Sequence, residues 1–394
     1  MFSAYRFCAV LTFFVFIAGC GAPQKEGNVS RQPAGYPSKG TATPPPPPPP
    51  AEPPPAVQVP TESPEGQGVF TRVGVFYATD RRRGPSTAPA TIYGGNRNES
   101  AAEAPLEYGS CEVSIPAIHH TGELEAPKWW KLEFRPDPEK HVILLSVVPQ
   151  AGDSFFANLK AAIDRASDRD AFVFIHGYNT TFQDAARRTA QIAYDLKFKG
   201  APILYSWPSQ GKAAAYTVDE AAVEWSTDHL RWFLTTIRQK TGATTIHLIA
   251  HSMGNRALTR ALEAIPAEQK PMFRSIVLAA PDIDAGLFRQ LADRFTSKAQ
   301  RVTLYASSKD EALIASKKVH GYPRAGETDN GVLILPGIDT IDASAVKTDF
   351  LGHSYFNSIV PDMAVLFQFL APPDKRPKLM PRTSGGGRYW MIQP

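Results

Sequence analysis

A serine at position 252 has the neighbours that a nucleophilic serine needs. The segment AHSMG at 250–254 follows an apolar run at 245–249, which predicts a buried strand, and precedes helical spacing over 257–265. A serine on a sharp turn between a strand and a helix requires small residues two positions before and after it, and Ala250 stands where the first is usually glycine. This context predicts that Ser252 is the nucleophile of an acyl-transfer reaction.

A second motif, IHGYN at 175–179, directly follows the apolar run at 172–175. Together the two motifs resemble the α/β-hydrolase superfamily, in which a His-Gly pair follows the third strand and begins the oxyanion loop. The likeness covers about residues 70–370. It extends to an uncharacterised bacterial family of α/β hydrolases with the segments VGVFYATDR, HGYNTTF, SWPSQG, HSMGN and GHSYF. The resemblance implies an α/β-hydrolase fold and a catalytic triad, and it implies no particular substrate.

The resemblance also implies where the negative charge of the transition state would be held. In an oxyanion hole, backbone N–H groups donate to the oxygen that becomes negative. Here the donors would be the amides of Met253 and Tyr178, with Asn179 as an alternative to Tyr178.

Nine histidines could supply the general base that takes the proton of the serine. His353 follows the last predicted strand, where the superfamily carries its catalytic histidine, and we expect it to be the base. His320 is the second candidate. His251 flanks the serine with its side chain directed away, and His176 precedes the oxyanion turn, so structural roles are expected for both.

We expect the acid of the triad to be Asp310, which also follows a predicted strand. The order Ser252, Asp310, His353 along the chain is the order of the superfamily. Asp282 and Asp284, after the preceding strand, remain alternatives because some lipases carry the acid there. These two residues could instead cap the following helix.

A mostly parallel sheet is needed to bring these residues together. Apolar runs alternate with segments of helical spacing, which is typical of a parallel sheet with right-handed crossovers and helices on both faces. Strands are predicted over 73–78, 111–115, 142–148, 172–175, 202–206, 245–249, 275–279, 302–306 and 332–335, and helices over 182–197, 218–240, 257–265, 287–295 and 363–370. We therefore expect residues 67–394 to form one α/β-hydrolase domain.

The first 20 residues predict export and removal. Arg6 supplies a positive charge, and residues 9–18 form an apolar stretch too short to span a bilayer. The ending IAGC at 17–20 resembles the lipobox of bacterial lipoproteins, in which the cysteine is acylated and becomes the N-terminus. We expect a lipoprotein signal peptide over 1–20 and a lipid on Cys20. In a Gram-negative source the anchor would lie on the periplasmic side of the outer membrane.

Residues 21–66 predict a disordered, proline-rich tether between this anchor and the domain. An unbroken proline run occupies 44–50, and such a chain favours extended polyproline II conformation. A docking site for a polyproline-binding partner is the alternative.

Composition limits the other function classes. The chain has 394 residues and a formal net charge of +4, without a long basic run, so nucleic acid is not an expected partner. The densest basic spot, RRR at 81–83, is expected to be a solvated loop. Cys111 would be the one thiol left after processing, so neither an internal disulfide nor a cysteine-based zinc site is expected. We expect no metal and no other cofactor.

The expected function is hydrolysis of an ester, thioester or related acyl bond in a small-molecule or lipid substrate, by a carboxylesterase-like or lipase-like serine hydrolase. The alternative is a cell-envelope lipoprotein that uses the same fold only to bind a partner. The combination of serine, oxyanion loop, acid and histidine favours catalysis, because a binding module has no physical need of all four.

Overall fold

A sheet of 11 strands runs through the part of the chain that the structure describes. The structure is a computed structural model, and it describes residues 69–99, 106–127, 135–346, 356–385 and 387–393. The strands of the sheet are β1 (Phe70–Thr79), β4 (Glu107–Pro116), β5 (Ile143–Gln150), β6 (Asp170–Ile175), β7 (Ala201–Ser206), β8 (Thr245–His251), β9 (Phe273–Ala279), β10 (Ala299–Ala306), β11 (Ile338–Asp342), β12 (Leu379–Ser384) and β13 (Gly387–Ile392). A separate two-stranded sheet consists of β2 (Arg81–Arg83) and β3 (Tyr93–Arg97). Cys20, the predicted tether and His353 lie outside the described residues.

The large sheet is parallel in its centre and antiparallel at its edges. Its strands follow the order β12-β13-β11-β10-β9-β8-β6-β7-β1-β4-β5. All neighbours from β13 to β1 are parallel, whereas β12–β13, β1–β4 and β4–β5 are antiparallel. Adjacent parallel strands require crossover connections, which are usually helical. The predicted mostly parallel sheet is therefore confirmed.

Helices cover both faces of this sheet. They are α1 (Gly152–Arg165), α2 (Phe182–Asp195), α3 (Tyr216–Trp225), α4 (Thr227–Thr241), α5 (Gly254–Ala264), α6 (Ala285–Thr296), α7 (Glu311–His320) and α8 (Phe356–Phe369). In β6, Val173 and Ile175 join a core with α1, α4, α5 and α6, while Phe172 and Phe174 join a core with α2 and α8. This alternation follows from the two-residue repeat of a strand and gives the domain two apolar layers. No helix in the described ranges is long and apolar enough to cross a bilayer.

Two predicted elements differ from the observed ones. The helix predicted over 218–240 is two helices that meet at Ser226, whose hydroxyl donates to the carbonyl oxygen of Ala222 at 3.0 Å. Such a back-bond from serine bends helices. The prediction of a strand over 332–335 is wrong. The strand in this part of the chain is β11, which begins at Ile338. The turn into β11 uses Gly337, whose φ of +75° lies in the left-handed region that favours glycine.

Candidate active site

Ser252 occupies the turn between β8 and α5. Its φ of +53° lies in the left-handed region, which residues with a side chain rarely adopt. The backbone N–H of Ser252 donates to the carbonyl oxygen of Ala279 on β9 at 3.0 Å, and the side-chain amide of Asn255 donates to the carbonyl oxygen of Ser252 at 2.9 Å. A strained serine held at the junction of a buried strand and a helix has the geometry of a nucleophile elbow.

Close backbone approaches explain the small residues around the serine. A Cβ atom on Gly254 would lie 2.3 Å from the carbonyl oxygen of His176. A Cβ atom on Gly177 would lie 2.7 Å from the Cβ of Ser252. The turn after β6 can therefore press against the serine turn only because both glycines lack a side chain. Ala250, in place of the usual glycine, is fully buried.

The turn that follows β6, residues 176–181, carries the predicted oxyanion donors and is called the oxyanion turn below. It lies beside the serine turn because β6 and β8 are neighbouring parallel strands. The amide of Asn179 donates to Asp219 Oδ2 at 3.2 Å and is therefore engaged. No hydrogen bond among the described residues uses the amide of Tyr178 or of Met253. These two N–H groups are the ones left to donate to a substrate.

His176 has the surroundings of a structural residue. Its ring stacks on Trp207 with 4.9 Å between ring centroids, and its Nδ1 lies 2.8 Å from the carbonyl oxygen of Gly177. Burial, together with the nearby cation of Arg81, lowers the pKa of His176 to about 3, so that the ring is neutral at physiological pH. These contacts agree with the scaffolding role expected for this histidine.

His320, the second candidate for the base, is the last residue of α7. Its Nδ1 lies 2.7 Å from the carbonyl oxygen of Ser316, and its Nε2 lies 2.7 Å from Glu220 Oε1. Both ring nitrogens therefore have partners, and neither is free to take a proton from Ser252 in this arrangement. His353, the first candidate, is not among the described residues.

Asp282 belongs to a buried ion network. Its Oδ1 accepts from Arg324 Nε at 2.8 Å and from the hydroxyl of Ser316 at 2.6 Å. Its Oδ2 accepts from the hydroxyl of Tyr216 at 2.6 Å and lies 3.5 Å from an Nη atom of Arg256. Although burial opposes the charge, the two arginines lower the pKa of Asp282. Both of its oxygens are thus occupied by structural partners.

Asp310 and Asp284 each begin a helix. Asp310 is buried after β10, and its Oδ1 accepts from the backbone N–H of Leu313 at 2.9 Å, which caps α7. Asp284 caps α6, because its Oδ1 accepts from the backbone N–H of Leu287 at 2.7 Å. The capping role considered for Asp284 is therefore present, and the expected triad acid also has a capping role.

A charged and aromatic layer beside the serine turn is not predicted by the sequence. Arg256, four residues after Ser252, donates to Glu220 Oε1 at 2.6 Å. The ring of Tyr216 packs edge-on against that of Tyr178, with 5.0 Å between centroids. Arg256 directly precedes the helix predicted over 257–265 and lies in the first turn of the observed α5. The sequence gives no signal for the rest of this layer, since the partners of Arg256 come from distant segments of the chain.

A cavity of about 720 Å³ lies beside this layer, between the start of α6 and the loop after α7. Its polar lining includes Asp284, Arg289, His320, Arg324 and Asn330. Arg324 links the cavity to the serine turn through Asp282, whose backbone N–H donates to the carbonyl oxygen of Ser252 at 3.2 Å. The volume falls within the range of small-molecule pockets, roughly 300–1,000 Å³. The described residues contain no group of three or more His, Cys, Asp or Glu side chains suited to a metal ion.

Comparisons with known proteins give one family and several distant structural neighbours. The neighbours include an uncharacterized protein from Bacillus cereus (10% identity, TM-score 0.35), with 53% of this chain and 62% of that chain covered. The chain thus spans less than two thirds of the Bacillus protein. A predicted CIB-like hydrolase from Thermoplasma acidophilum has 15% identity and a TM-score of 0.29, with coverage of 50% and 86%. MenH from S. aureus has 12% identity and a TM-score of 0.29, with coverage of 51% and 93%.

No curated protein matches the chain in sequence. The profile of one family matches residues 151–368, which is more than half of the chain, and that family is described as alpha/beta hydrolase of unknown function (DUF900). The matched range holds the serine turn, the oxyanion turn and the central parallel strands. The chain therefore belongs to this alpha/beta hydrolase family and has its fold.

Proposed function

We propose that this protein is a serine hydrolase that cleaves an ester, thioester or related acyl bond through a catalytic triad. Ser252 is the nucleophile, His353 the general base and Asp310 the acid. Of the two histidines considered for the base, His320 has both ring nitrogens engaged, which leaves His353 as the better candidate. Asp282, the alternative acid, is occupied by its arginine partners, which favours Asp310.

The contact between two turns is the observation that carries this proposal. The left-handed Ser252 lies against Gly177 of the oxyanion turn. The neighbouring amides of Tyr178 and Met253 donate to no acceptor in the described part of the chain. Two N–H groups beside a serine on an elbow support stabilisation of an oxyanion. Each such donor typically lowers the activation barrier by about 3–4 kcal/mol.

The reaction then follows the course of acyl transfer. The Ser252 hydroxyl attacks the carbonyl carbon while His353 takes its proton, and the carbonyl oxygen becomes negative between the amides of Tyr178 and Met253. Collapse of this intermediate breaks the acyl bond, and the leaving group takes the proton from His353. Water then attacks the acyl-enzyme in the same way, which releases the acid and restores the serine.

The cavity between the start of α6 and the loop after α7 supports one choice of substrate class. Its lining offers the charged Asp284 and Arg289 and the amide of Asn330, next to the apolar Leu287 and Leu333. Such a mixed surface suits a polar group next to a short apolar one. We propose soluble esters or thioesters with short acyl chains as substrates, which corresponds to a carboxylesterase rather than to a lipase of long-chain lipids.

The location of the protein is a further part of the proposal. The signal peptide and lipobox of residues 1–20 support export and acylation of Cys20. The proline-rich residues 21–66 would then separate the hydrolase domain from the membrane. A lipid-anchored hydrolase of the cell envelope is the resulting description.

A fluorophosphonate probe tests the enzyme class directly. The Ser252 oxygen would attack phosphorus and displace fluoride, which leaves a stable covalent adduct. We expect labelling of the wild-type protein, loss of labelling in Ser252→Ala, and full labelling in Ser297→Ala, which removes an exposed serine at the end of α6. A folded wild-type protein that the probe does not label would instead favour the non-catalytic binding module.

A further inference from the structure

Arg81 lies at the centre of the loops that surround the oxyanion turn. The sequence predicts a solvated arginine run at 81–83, which is wrong for Arg81, because its side chain is 1% exposed while Arg82 and Arg83 face solvent. All three of its guanidinium nitrogens donate. Nε donates to Ser206 Oγ at 2.9 Å, one Nη donates to the carbonyl oxygens of Gly94 at 2.9 Å and Ser209 at 2.8 Å, and the other donates to the carbonyl oxygen of Thr180 at 2.9 Å.

Asp219, buried on α3, holds the same turn from the other side. Its Oδ2 accepts from the amide of Asn179 at 3.2 Å and from the hydroxyl of Ser209 at 2.6 Å, while its Oδ1 accepts from the amide of Gln210 at 2.7 Å. The Ser209 hydroxyl in turn accepts from the amide of Thr180 at 3.0 Å. Both residues that follow Tyr178 are therefore fixed in place.

The residues before Tyr178 are fixed as well. The indole N–H of Trp207 donates to the carbonyl oxygen of His176 at 2.7 Å. Gly177 lies against Ser252. The turn is thus held on both sides of Tyr178, while the Tyr178 amide itself has no acceptor among the described residues.

We infer that Arg81 and Asp219 are positioning residues, which hold the oxyanion turn in the shape that directs the Tyr178 amide at the oxyanion. A buried guanidinium without an ion pair is costly, and an apolar side chain would fill the same space at lower cost. No carboxylate in the described ranges forms an ion pair with Arg81, and its hydrogen-bond acceptors are neutral groups of the surrounding loops. This pattern fits a residue that is used for the shape of the turn.

The Arg81 side chain is protonated, and therefore positively charged, at neutral pH. Burial lowers its pKa to about 10, which still leaves the guanidinium protonated. The identification of the turn as an oxyanion turn rests on the proposed function, whereas the claim that Arg81 and Asp219 fix the turn does not.

Two measurements test the inference separately. Hydrogen–deuterium exchange of the peptide that covers 176–181 reports on the turn without any need for catalysis. We expect exchange at least about 10-fold faster in Arg81→Gln and in the milder Asp219→Asn, and no change in Arg82→Gln, which removes an exposed arginine from the same strand. A boronic acid, which forms a tetrahedral anionic adduct with the serine oxygen, reports on the oxyanion hole.

We expect kcat for a short ester and the affinity for the boronic acid to fall in parallel by about 10²-fold in the Arg81 and Asp219 variants. KM should change much less, because ground-state binding does not use the oxyanion.

Folded variants with unchanged exchange at 176–181 would overturn the inference. So would faster exchange with unchanged kcat and boronic acid affinity. If Arg81→Gln does not fold, Arg81→Lys and Asp219→Asn decide. A wild-type protein that lacks both turnover and boronic acid binding would contradict the proposed function, and exchange alone would then decide whether these residues fix the turn.

Discussion

The left-handed backbone conformation of Ser252 is strained. A residue with a Cβ atom in the left-handed region costs about 1–3 kcal/mol relative to a relaxed conformation. Glycine adopts this region freely. The two inactive variants Ser252→Gly and Ser252→Ala therefore differ mainly in backbone strain.

We expect Ser252→Gly to have a free energy of unfolding about 1 kcal/mol higher than Ser252→Ala, partly offset by the greater flexibility of glycine in the unfolded chain. Urea denaturation of both proteins measures this difference. Equal stabilities, or a more stable alanine variant, would mean that the turn stores no strain at this residue.

The choice of triad acid is also decided at single residues. Asp310→Asn keeps a side chain that caps helices equally well, so α7 should remain stable. The imidazole that Asp310 is proposed to orient would lose its charged partner, and kcat should fall by roughly 10⁴-fold on the precedent of serine proteases. Ester hydrolysis at matched folded fraction measures this loss.

Asp282→Asn provides the contrast. It leaves Arg324 buried without its carboxylate partner, which typically costs about 3–5 kcal/mol of the free energy of unfolding. We expect a lower Tm with kcat within about 10-fold of the wild type. A stable Asp282→Asn protein with crippled turnover, beside a nearly normal Asp310→Asn protein, would assign the acid to Asp282 instead.

At the scale of elements, one histidine joins the segment after β4 to the end of α2. His119 Nε2 lies 3.0 Å from Asp195 Oδ1, and its Nδ1 lies 2.8 Å from Glu125 Oε2. Burial opposes the charge, but the hydrogen bonds to these two carboxylates raise the pKa of His119 to about 9. Because the folded pKa is above the unfolded value of roughly 6.5, the protonated ring stabilises the fold.

This contribution is fully present below about pH 6.5 and is lost as the pH rises through about 9. We expect the wild type to exceed His119→Gln by about 2 kcal/mol in the free energy of unfolding at pH 6, less than the whole shift implies because solvent screens part of the interaction. The difference should shrink at pH 9.5. His120→Gln, at the exposed neighbouring position, is the control. A wild-type advantage that does not depend on pH would contradict this role.

The sequence predicts the strands from β5 to β10 in the sheet order better than the opposite margin, which consists of β11, β13 and β12. β6 and β8 are recognisable because strands buried on both faces are continuous apolar runs. β11 is missed because its sequence, IDTID, is polar at three of five positions and its predicted neighbour at 332–335 is more apolar. The helices α1 and α7 and the hairpin of β12 and β13 are not predicted either.

The candidate site divides in the same way. Ser252, the glycines and the oxyanion turn can be predicted because local turn chemistry specifies them. The hydrogen bonds of Asp282 cannot be predicted, because its partners Tyr216, Ser316 and Arg324 come from segments far apart in the chain. The burial of Arg81 is missed for the same reason, since its acceptors lie on three separate segments of the chain: β3, the oxyanion turn, and the end of β7 with the residues that follow it.

At the scale of the whole molecule, access to the serine depends on the connections at the carboxyl edge of the sheet. The segment between β9 and β10 contains one helix, α6, packed into the core through Phe288, Leu291 and Phe295. It therefore lacks the features of a mobile apolar lid. We expect no interfacial activation: the rate with a short ester should show no sharp rise above the critical micelle concentration. Such a rise would indicate a lid elsewhere in the chain.

The proposed anchor gives a prediction for the complete protein in its native host. Cys20→Ser removes the acylated atom, so the variant should appear in the soluble periplasmic or culture fraction, while the wild type fractionates with membranes. Fractionation followed by immunodetection measures this. Esterase activity should be unchanged, since the proposed active site lies in the domain. A variant that still requires detergent for extraction would refute lipid anchoring through this cysteine.

The hairpin of β12 and β13 has a consequence for self-association. β13 pairs with the end of β11, with Ile341 opposite Trp390 and Asp342 opposite Met391, so that the backbone of β11 faces a strand of the same chain there. The outer strand β12 carries Pro381, which has no N–H to offer, and is exposed along most of its length with the charged Arg382 beside it. An edge of this kind resists pairing with another molecule, whereas an uncovered β11 would act as a template for strand addition. We therefore expect the C-terminal hairpin, which lies beyond the range that matches the family, to limit aggregation through this edge of the sheet.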